Sequence, residues 1–155
     1  MAAKFATERG SEPTQNPLWI CALKVYSQPG VEAQLLQMQD ECGADILWLL
    51  TAVWLHSEDR SLSTEMLNQP EYEHWRKSMI LPLRQQRRFC DKAEHHALYE
   101  LLKKAELEAE RYGLDLLYRA LRDTGGLSGG NRVESLMLCC SDEMACRQLD
   151  ELLSR

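Results

Sequence analysis

Residues 46–55 carry the sequence Ile-Leu-Trp-Leu-Leu-Thr-Ala-Val-Trp-Leu, in which Thr51 is the only polar side chain. Asp45 stands immediately before this stretch and can cap the N-terminus of a helix. Such a helix has no polar face, yet the stretch is only about half of the ~20 residues that cross a bilayer. A helix that is apolar on all sides belongs inside a protein core. We therefore expect a helix over 46–56 at the centre of the fold.

Helical signals also flank this stretch on both sides. Asn16-Pro17 is typical of a helix start, because Asn can cap free N–H groups and proline has no N–H to lose there. Gly43 is typical of a helix end. Apolar side chains at helical spacing predict further helices over 17–27, 31–42, 71–90, 93–121 and 132–153. No run shows strand-like alternation, so the sequence predicts an all-α, single-domain helical bundle of about six to seven helices with a central apolar helix.

The helix predicted over 71–90 has two different sides. Its apolar side carries Tyr72, Trp75, Met79, Leu83 and Cys90. Lys77, Arg84 and Arg88 project from the opposite side, with Arg87 nearby, and Pro82 should bend or interrupt the helix. In the helix over 31–42, the same spacing argument places Gln34 on the outer side.

Composition limits both the domain organisation and the class of protein. The 155 residues include 24 acidic and 18 basic side chains, a formal net charge of -6, and 45% hydrophobic residues, which indicates one globular unit rather than a disordered or collagen-like chain. The net charge argues against a surface built wholly for nucleic acid or anionic lipid. We predict a disordered leader over 1–15, a helical domain over 16–122, a glycine-rich linker over 123–131 and a C-terminal helical segment over 132–155.

The cysteines and the N-terminus favour a reducing compartment. Six cysteines occur without the regular spacing of a disulfide framework. Residues 1–11 include Glu8 and Arg9 and lack the apolar core of a secretory signal. The sequence therefore predicts a cytoplasmic protein with no membrane segment.

A basic stretch from 76 to 92 is the first candidate site. Arg84, Arg87, Arg88 and Lys92 could face the phosphates of a nucleic acid or nucleotide, with Trp75 as a stacking neighbour. Arginine forks suit carboxylates equally well, and Asp40, Asp45 and Glu106 are candidate internal partners. We favour internal pairing, because nucleic-acid modules usually have a broader basic face.

Glu106 and Glu110 form the second candidate site. They stand one helical turn apart, as a general acid and base could, but Lys103 and Arg111 nearby make solvated salt bridges the simpler interpretation. A single Glu71-x-x-His74 motif is half of what a di-iron bundle needs. The glycine loop 125–130 lacks the Lys-Ser/Thr pair of a phosphate cradle and is more typical of a flexible joint. We expect no metal and no cofactor, and enzyme activity is not favoured.

A heptad pattern in the long helix is the third candidate. Its a and d positions are Leu98, Leu102, Ala105, Ala109, Tyr112 and Leu116. Such a seam could accept another helix, from a partner protein or from a second copy of the chain.

Three sequence blocks carry a family resemblance. They run from Pro29-Gly30 to Trp54, from Trp75-Arg76 through Pro82-Leu83-Arg84 to Arg87-Arg88, and from Leu101-Leu102 to Glu110. Together they resemble a family of small proteobacterial proteins of unknown function, over about residues 17–112. The resemblance implies a bacterial helical domain without assigned catalytic residues, and it does not extend past Asp123.

The leading hypothesis is therefore a cytosolic helical protein that acts as a protein–protein interaction or regulatory module. The alternatives are a nucleic-acid or nucleotide binder through Arg84, Arg87 and Arg88, and, less favoured, a metal or carboxylate enzyme.

Overall fold

The computed structural model describes residues 16–124 and 130–155. Within these ranges every regular element is helical, so the predicted all-α bundle is confirmed. The helices are α1 (Pro17–Ser27), α2 (Val31–Cys42), α3 (Ile46–Ser57), α4 (Pro70–Trp75), α5 (Leu81–Phe89), α6 (His96–Leu121), α7 (Arg132–Cys139) and α8 (Glu143–Leu153). A 3-10 turn (Glu65–Leu67) precedes α4, and a π-helical segment (Arg76–Ile80) joins α4 to α5. The predicted leader 1–15 and residues 125–129 of the predicted linker lie outside the described residues.

Helix α3 occupies the centre of the bundle, as its sequence predicts. All side chains from 46 to 55 are buried, and α3 contacts α1, α2, α6 and α7. Asp45 Oδ1 accepts a hydrogen bond of 3.0 Å from the Leu47 N–H and so caps the helix. Gly113 lets α6 approach α3 closely, since a Cβ atom there would lie 2.9 Å from Leu47 Cδ2.

The C-terminal helices join the same core instead of forming a separate unit. Helix α7 packs on α3, α8 packs on α2, and Leu136 and Leu149 are fully buried. Gln34 was predicted to face solvent, and that prediction is wrong because α8 covers it. Its Nε2 donates a hydrogen bond of 3.0 Å to the carbonyl oxygen of Ala145.

The helix predicted over 71–90 is interrupted before Pro82, as expected. Proline offers no N–H to the preceding turn, and the Leu81 N–H donates to the carbonyl of Arg76, five residues back. A π-helical turn adds a residue and rotates the faces that follow it. The predicted faces are wrong at two positions: Met79, inside the π-helical segment, is 38% exposed, and Arg84 is only 9% exposed. Leu83 and Cys90 are half-buried and Arg88 is exposed, as the spacing predicts.

The predicted heptad seam of α6 is not one continuous surface. Ala109 and Leu116 are buried in their own domain, while Leu98 and Tyr112 are exposed and Leu102 and Ala105 are half-buried. The side that faces the core instead carries Leu107, Glu110, Leu114, Leu117 and Leu121. A seam divided in this way is not the continuous surface for another helix that the spacing suggested as a candidate.

Among residues 16–124 and 130–155, none of the helices combines the length and the apolar character that a membrane span requires.

Replacing Trp54 by Ala tests the central position of α3. The indole is 3% exposed, lies 5.5 Å from the Tyr118 ring and lies under the Arg60 guanidinium at 5.0 Å. Its removal should leave a cavity and lower the free energy of unfolding by ~3–5 kcal/mol, measured by chemical denaturation. An unchanged denaturation midpoint would contradict the central placement of α3.

Candidate functional site

Four arginines from the π-helical segment and α5 gather on one side of the bundle. We call Arg76, Arg84, Arg87 and Arg88 the arginine cluster. Three of them line a cleft of about 610 Å³, which we call the arginine cleft. Its wall is made of Gln39, Asp40, Gly43, Ala44, Arg76, Leu81, Arg84 and Arg88. The cleft therefore lies between the C-terminal end of α2 and the start of α5.

Glu106 anchors the inner half of the cluster. Its side chain is fully buried, and its carboxylate accepts hydrogen bonds from Arg84 Nε at 3.2 Å and from Arg87 Nε. Burial by itself would raise the pKa of Glu106, but the hydrogen bonds from Arg87 and Arg84 outweigh burial and lower it. A charged carboxylate thus fixes two guanidinium groups below the surface.

Glu110 lies one turn further along α6 and has a different environment. Its side chain is fully buried, with Oε2 3.7 Å from Arg84 Nη2. Neither carboxyl oxygen has a hydrogen-bond partner in the part of the chain that the structure describes. Burial, reinforced by the charge of Glu106, raises the pKa of Glu110 to about 8. Glu110 is therefore mostly protonated at neutral pH, and Glu106 is the charged partner of Arg84.

The two glutamates correct an expectation from the sequence. Solvated salt bridges on an exposed face were the simpler interpretation of Glu106 and Glu110, but both side chains are inside the protein. Helix α5 packs on α6 at these two positions, with Arg84 turned towards both carboxyl groups.

Asp45 holds Arg76 at the other end of the cleft. Its Oδ2 lies 2.9 Å from Arg76 Nε and accepts a hydrogen bond of 2.7 Å from the Tyr72 hydroxyl. The same carboxylate caps α3 through its other oxygen. The start of the central helix and the position of Arg76 thus depend on one side chain.

Arg88 lies at the rim, where its pairing is weakest. Its Nη2 is 3.0 Å from Asp40 Oδ1, and the two side chains are 52% and 57% exposed. An exposed pair of this kind contributes little to stability. Arg88 can therefore exchange Asp40 for another anion at little cost.

Gln39 is part of the cleft wall, and its side-chain amide has no hydrogen-bond partner in the described chain. The residue is 9% exposed, and neither Oε1 nor Nε2 forms a hydrogen bond to any residue within 16–124 or 130–155. A buried amide without a partner costs free energy, typically ~1–3 kcal/mol. The wall of the cleft therefore holds one amide donor and one amide acceptor that are buried and have no partner in the described chain.

Of the predicted binding residues only Arg84 and Arg88 line the cleft, and Trp75 and Lys92 take no part in the arginine cluster either. Trp75 Nε1 donates a hydrogen bond of 2.8 Å to the Ala109 carbonyl, and its ring contacts Tyr112, so it joins α4 to α6. Lys92 is exposed in the turn after α5, where its Nζ lies 5.6 Å from the centre of the Tyr99 ring. Neither side chain is among the residues that line the cleft.

The metal candidates are also dispersed. Within the described ranges, no group of three or more His, Cys, Asp or Glu side chains is arranged to hold a metal ion. Most of the glycine loop 125–130 lies outside those ranges.

Arg76 and Gln39 are the site residues that the sequence did not single out. Arg76 belongs to the basic stretch, but its partner Asp45 lies 31 positions earlier in the chain. Gln39 follows a buried methionine on an amphipathic helix and gives no separate signal. The two residues meet only at the cleft, where Gln39 of α2 and Arg76 of the π-helical segment both form part of the wall.

Comparison with known proteins assigns a family but no activity. Residues 17–117 match the family model for a protein of unknown function, DUF2390. No curated protein and no solved structure matches the chain. The matched range ends before α7, so it includes the whole arginine cluster but not the C-terminal helices.

Replacing Glu110 by Gln tests the buried neutral carboxyl. The folded-state pKa of Glu110 lies above its usual 4.5, at about 8, so the stability contributed by its bound proton is complete below pH 4.5 and is lost as the pH rises to about 8. Relative to Glu110→Gln, we expect the free energy of unfolding of the unmodified protein to fall by a few kcal/mol between about pH 5 and 9. Urea denaturation at several pH values measures it.

The matched control is Glu108→Gln, which changes an exposed carboxylate on the same helix. This variant keeps the buried Glu110, so its free energy of unfolding should still fall with rising pH as that of the unmodified protein does. If Glu110→Gln behaves in the same way, Glu110 is not the neutral group that its surroundings indicate.

Proposed function

We propose a function for this chain, which belongs to the DUF2390 family of proteins of unknown function, from the geometry of its arginine cleft. The protein acts as a binding or regulatory module that takes an anionic group of a small ligand, a carboxylate or a phosphoryl group, between α2 and α5. A bacterial, cytoplasmic location remains a prediction from the sequence.

The balance of charge in the cluster supports an anionic ligand. Four guanidinium groups are paired with three carboxylates, those of Asp40, Asp45 and Glu106. Glu110 adds no full negative charge below about pH 8, because burial keeps its pKa high. The cluster therefore keeps an excess of one positive charge at neutral pH, beside an open cleft.

The rigidity of the cluster supports specific binding. Arg84 and Arg87 are held by Glu106, and Arg76 is held by Asp45. Because these guanidinium groups are already fixed in place, the arginine side chains lose less conformational entropy when a ligand binds. The cleft volume of about 610 Å³ is typical of small-molecule sites.

The unpartnered amide of Gln39 is the single observation that carries the proposal. A buried polar side chain without a hydrogen bond is rare in folded proteins. In this protein it stands in the wall of the cleft that also carries three arginines. A ligand with an anionic group and one further polar atom would satisfy both the charge excess and the amide.

The same contacts argue against an extended nucleic-acid interface. Arg84 and Arg87 lie below the surface on Glu106, and Trp75 is held by the Ala109 carbonyl, so these side chains do not form an exposed stripe along which a polymer could lie. Only Arg88 and Lys92 of the predicted stripe remain well exposed. Two exposed cations give a small electrostatic contribution to nucleic-acid binding.

Titration with inorganic phosphate and with succinate tests the proposal. We expect saturable shifts of the Gln39 side-chain amide signals in ¹⁵N NMR spectra at low salt. Arg88→Gln should weaken binding about tenfold, because it removes a charge-assisted hydrogen bond. The fold should be retained, since the pair of Arg88 with Asp40 is exposed.

Arg147→Gln is the matched control, because Arg147 also forms an exposed pair, with Glu143 at 2.7 Å, on α8. Equal weakening by Arg147→Gln would mean that the effect is one of net charge alone. Gln39 signals that respond to neither anion would contradict the proposal. Tighter and steeply salt-dependent binding of an RNA oligonucleotide would favour the nucleic-acid alternative.

An apolar surface supports a second candidate, interaction with another protein chain. Three exposed side chains lie where α5 ends and α6 begins, and we call them the hairpin tip: Phe89 (89% exposed), Leu98 (51%) and Leu101 (65%). Apolar side chains grouped at one end of a hairpin are typical of contact surfaces. This surface replaces the heptad seam as the candidate for self-association.

Analytical ultracentrifugation over a range of concentrations tests the second candidate. We expect reversible dimers that the double substitution Phe89→Ser with Leu101→Ser removes. Met144→Ser, which changes a 70% exposed side chain on α8, should leave the dimers intact. A monomer at all concentrations would exclude self-association through the hairpin tip.

A further inference from the structure

Three thiols from separate parts of the chain meet where α2 touches the C-terminal helices. Cys42 is the last residue of α2, Cys140 follows α7, and Cys146 lies in α8. The Cys42 sulfur lies 3.8 Å from Oδ2 of Asp142, which is two residues after Cys140, and the Cys140 thiol is close enough to raise the pKa of both Cys42 and Cys146. The Cys146 thiol also lies 3.5 Å from the Cys140 carbonyl oxygen. All three cysteines are in the free thiol form.

The three thiols differ in their access to solvent. Cys140 and Cys146 are 3% and 0% exposed. Cys42 is half-exposed and lines a groove of about 160 Å³ between α2 and α8, which Asp142 and Met144 also line. A small oxidant can therefore reach Cys42 before it reaches the buried Cys140.

We propose that Cys42 and Cys140 form a redox modification site, in which a peroxide converts the two thiols to a disulfide that ties α2 to the C-terminal helices. This site is independent of the arginine cleft. It joins the range shared with the family, residues 17–117, to helices that lie outside it.

The reaction proceeds in two balanced steps. The Cys42 thiolate attacks one oxygen of hydrogen peroxide, the O–O bond breaks, and Cys42 becomes a sulfenic acid as one water leaves. The Cys140 thiolate then attacks the Cys42 sulfur, and the S–O bond breaks with loss of a second water. The two thiols together give up two electrons and two protons, and the peroxide is reduced to two waters.

The surroundings of Cys42 make the reaction slow at neutral pH. Partial burial, the neighbouring Cys140 and the carboxylate of Asp142 raise the pKa of Cys42 to about 11. Asp142 Oδ2 lies 3.8 Å from the Cys42 sulfur. Because only the thiolate is nucleophilic, the rate should rise about tenfold per pH unit below that pKa. Asp142 thus acts as a positioning residue that restrains the oxidation.

Mild oxidation of the full chain with hydrogen peroxide tests the proposal. We expect loss of two hydrogen atoms in the intact mass, a tryptic peptide that links Cys42 to Cys140, and a higher urea midpoint that returns on reduction. Cys42→Ser should abolish the linked peptide. Cys90→Ser is the matched control, because Cys90 is also half-exposed but lies at the end of α5.

Asp142→Asn provides a second readout that a purely structural role would not change. Asp142 caps α8 by accepting a hydrogen bond of 3.1 Å from the Ala145 N–H, and Asn caps helices equally well. Removing the negative charge should lower the pKa of Cys42 and speed disulfide formation several-fold at pH 7. A rate that is unchanged or slower would contradict the role of Asp142.

Two further outcomes would overturn the site itself. One is a chain whose Cys42 stops at the sulfenic acid at high pH without forming the disulfide. The other is a link between Cys140 and Cys146 that forms as fast in Cys42→Ser as in the unmodified chain. Both would show that Cys42 does not reach Cys140 in solution.

Discussion

Because α3 has no polar face, every neighbouring helix must turn an apolar surface towards it, and α1, α2, α6 and α7 all contact it. The consequence reaches as far as the C-terminus, since α7 closes the side of α3 that the other helices leave open. Asp45 then acquires two roles at the start of α3. It caps the helix and pairs with Arg76, so the core and the arginine cleft share one anchor.

Buried charge is the second constraint on this molecule. Glu106 is inside the protein and needs the hydrogen bonds of Arg84 and Arg87 to remain ionised. Glu110, one turn away, has no such partner in the described chain and keeps its proton instead. Two identical side chains on one helix thus differ in charge, because α5 donates hydrogen bonds to Glu106 but comes no closer than 3.7 Å to Glu110.

The helix ends, which depend on residues adjacent in the chain, were predicted correctly from the sequence. The caps at Asn16 and Asp45 are present, and Gly43 ends α2 with a positive φ of 65°. The burial of Arg84 on α5 was not predicted. The π-helical turn before Pro82 adds one residue to the helix and so rotates the side chains that follow about the helix axis. The burial of Gln34 was not predicted either, because α8, which covers it, lies more than a hundred residues later in the sequence.

The sequence by itself determined the helices, the central place of α3 and the set of charges available for pairing, because periodicity and capping act within a few residues of the chain. Only the tertiary structure decided which arginine meets which carboxylate, which glutamate stays neutral, and which thiols become neighbours. Those outcomes depend on the packing of α5 against α6 and of α2 against α8, which brings together residues beyond the reach of helical spacing. Burial and the distances between side chains determine charge state and pairing at these sites, and the spacing of residues along the chain determines neither.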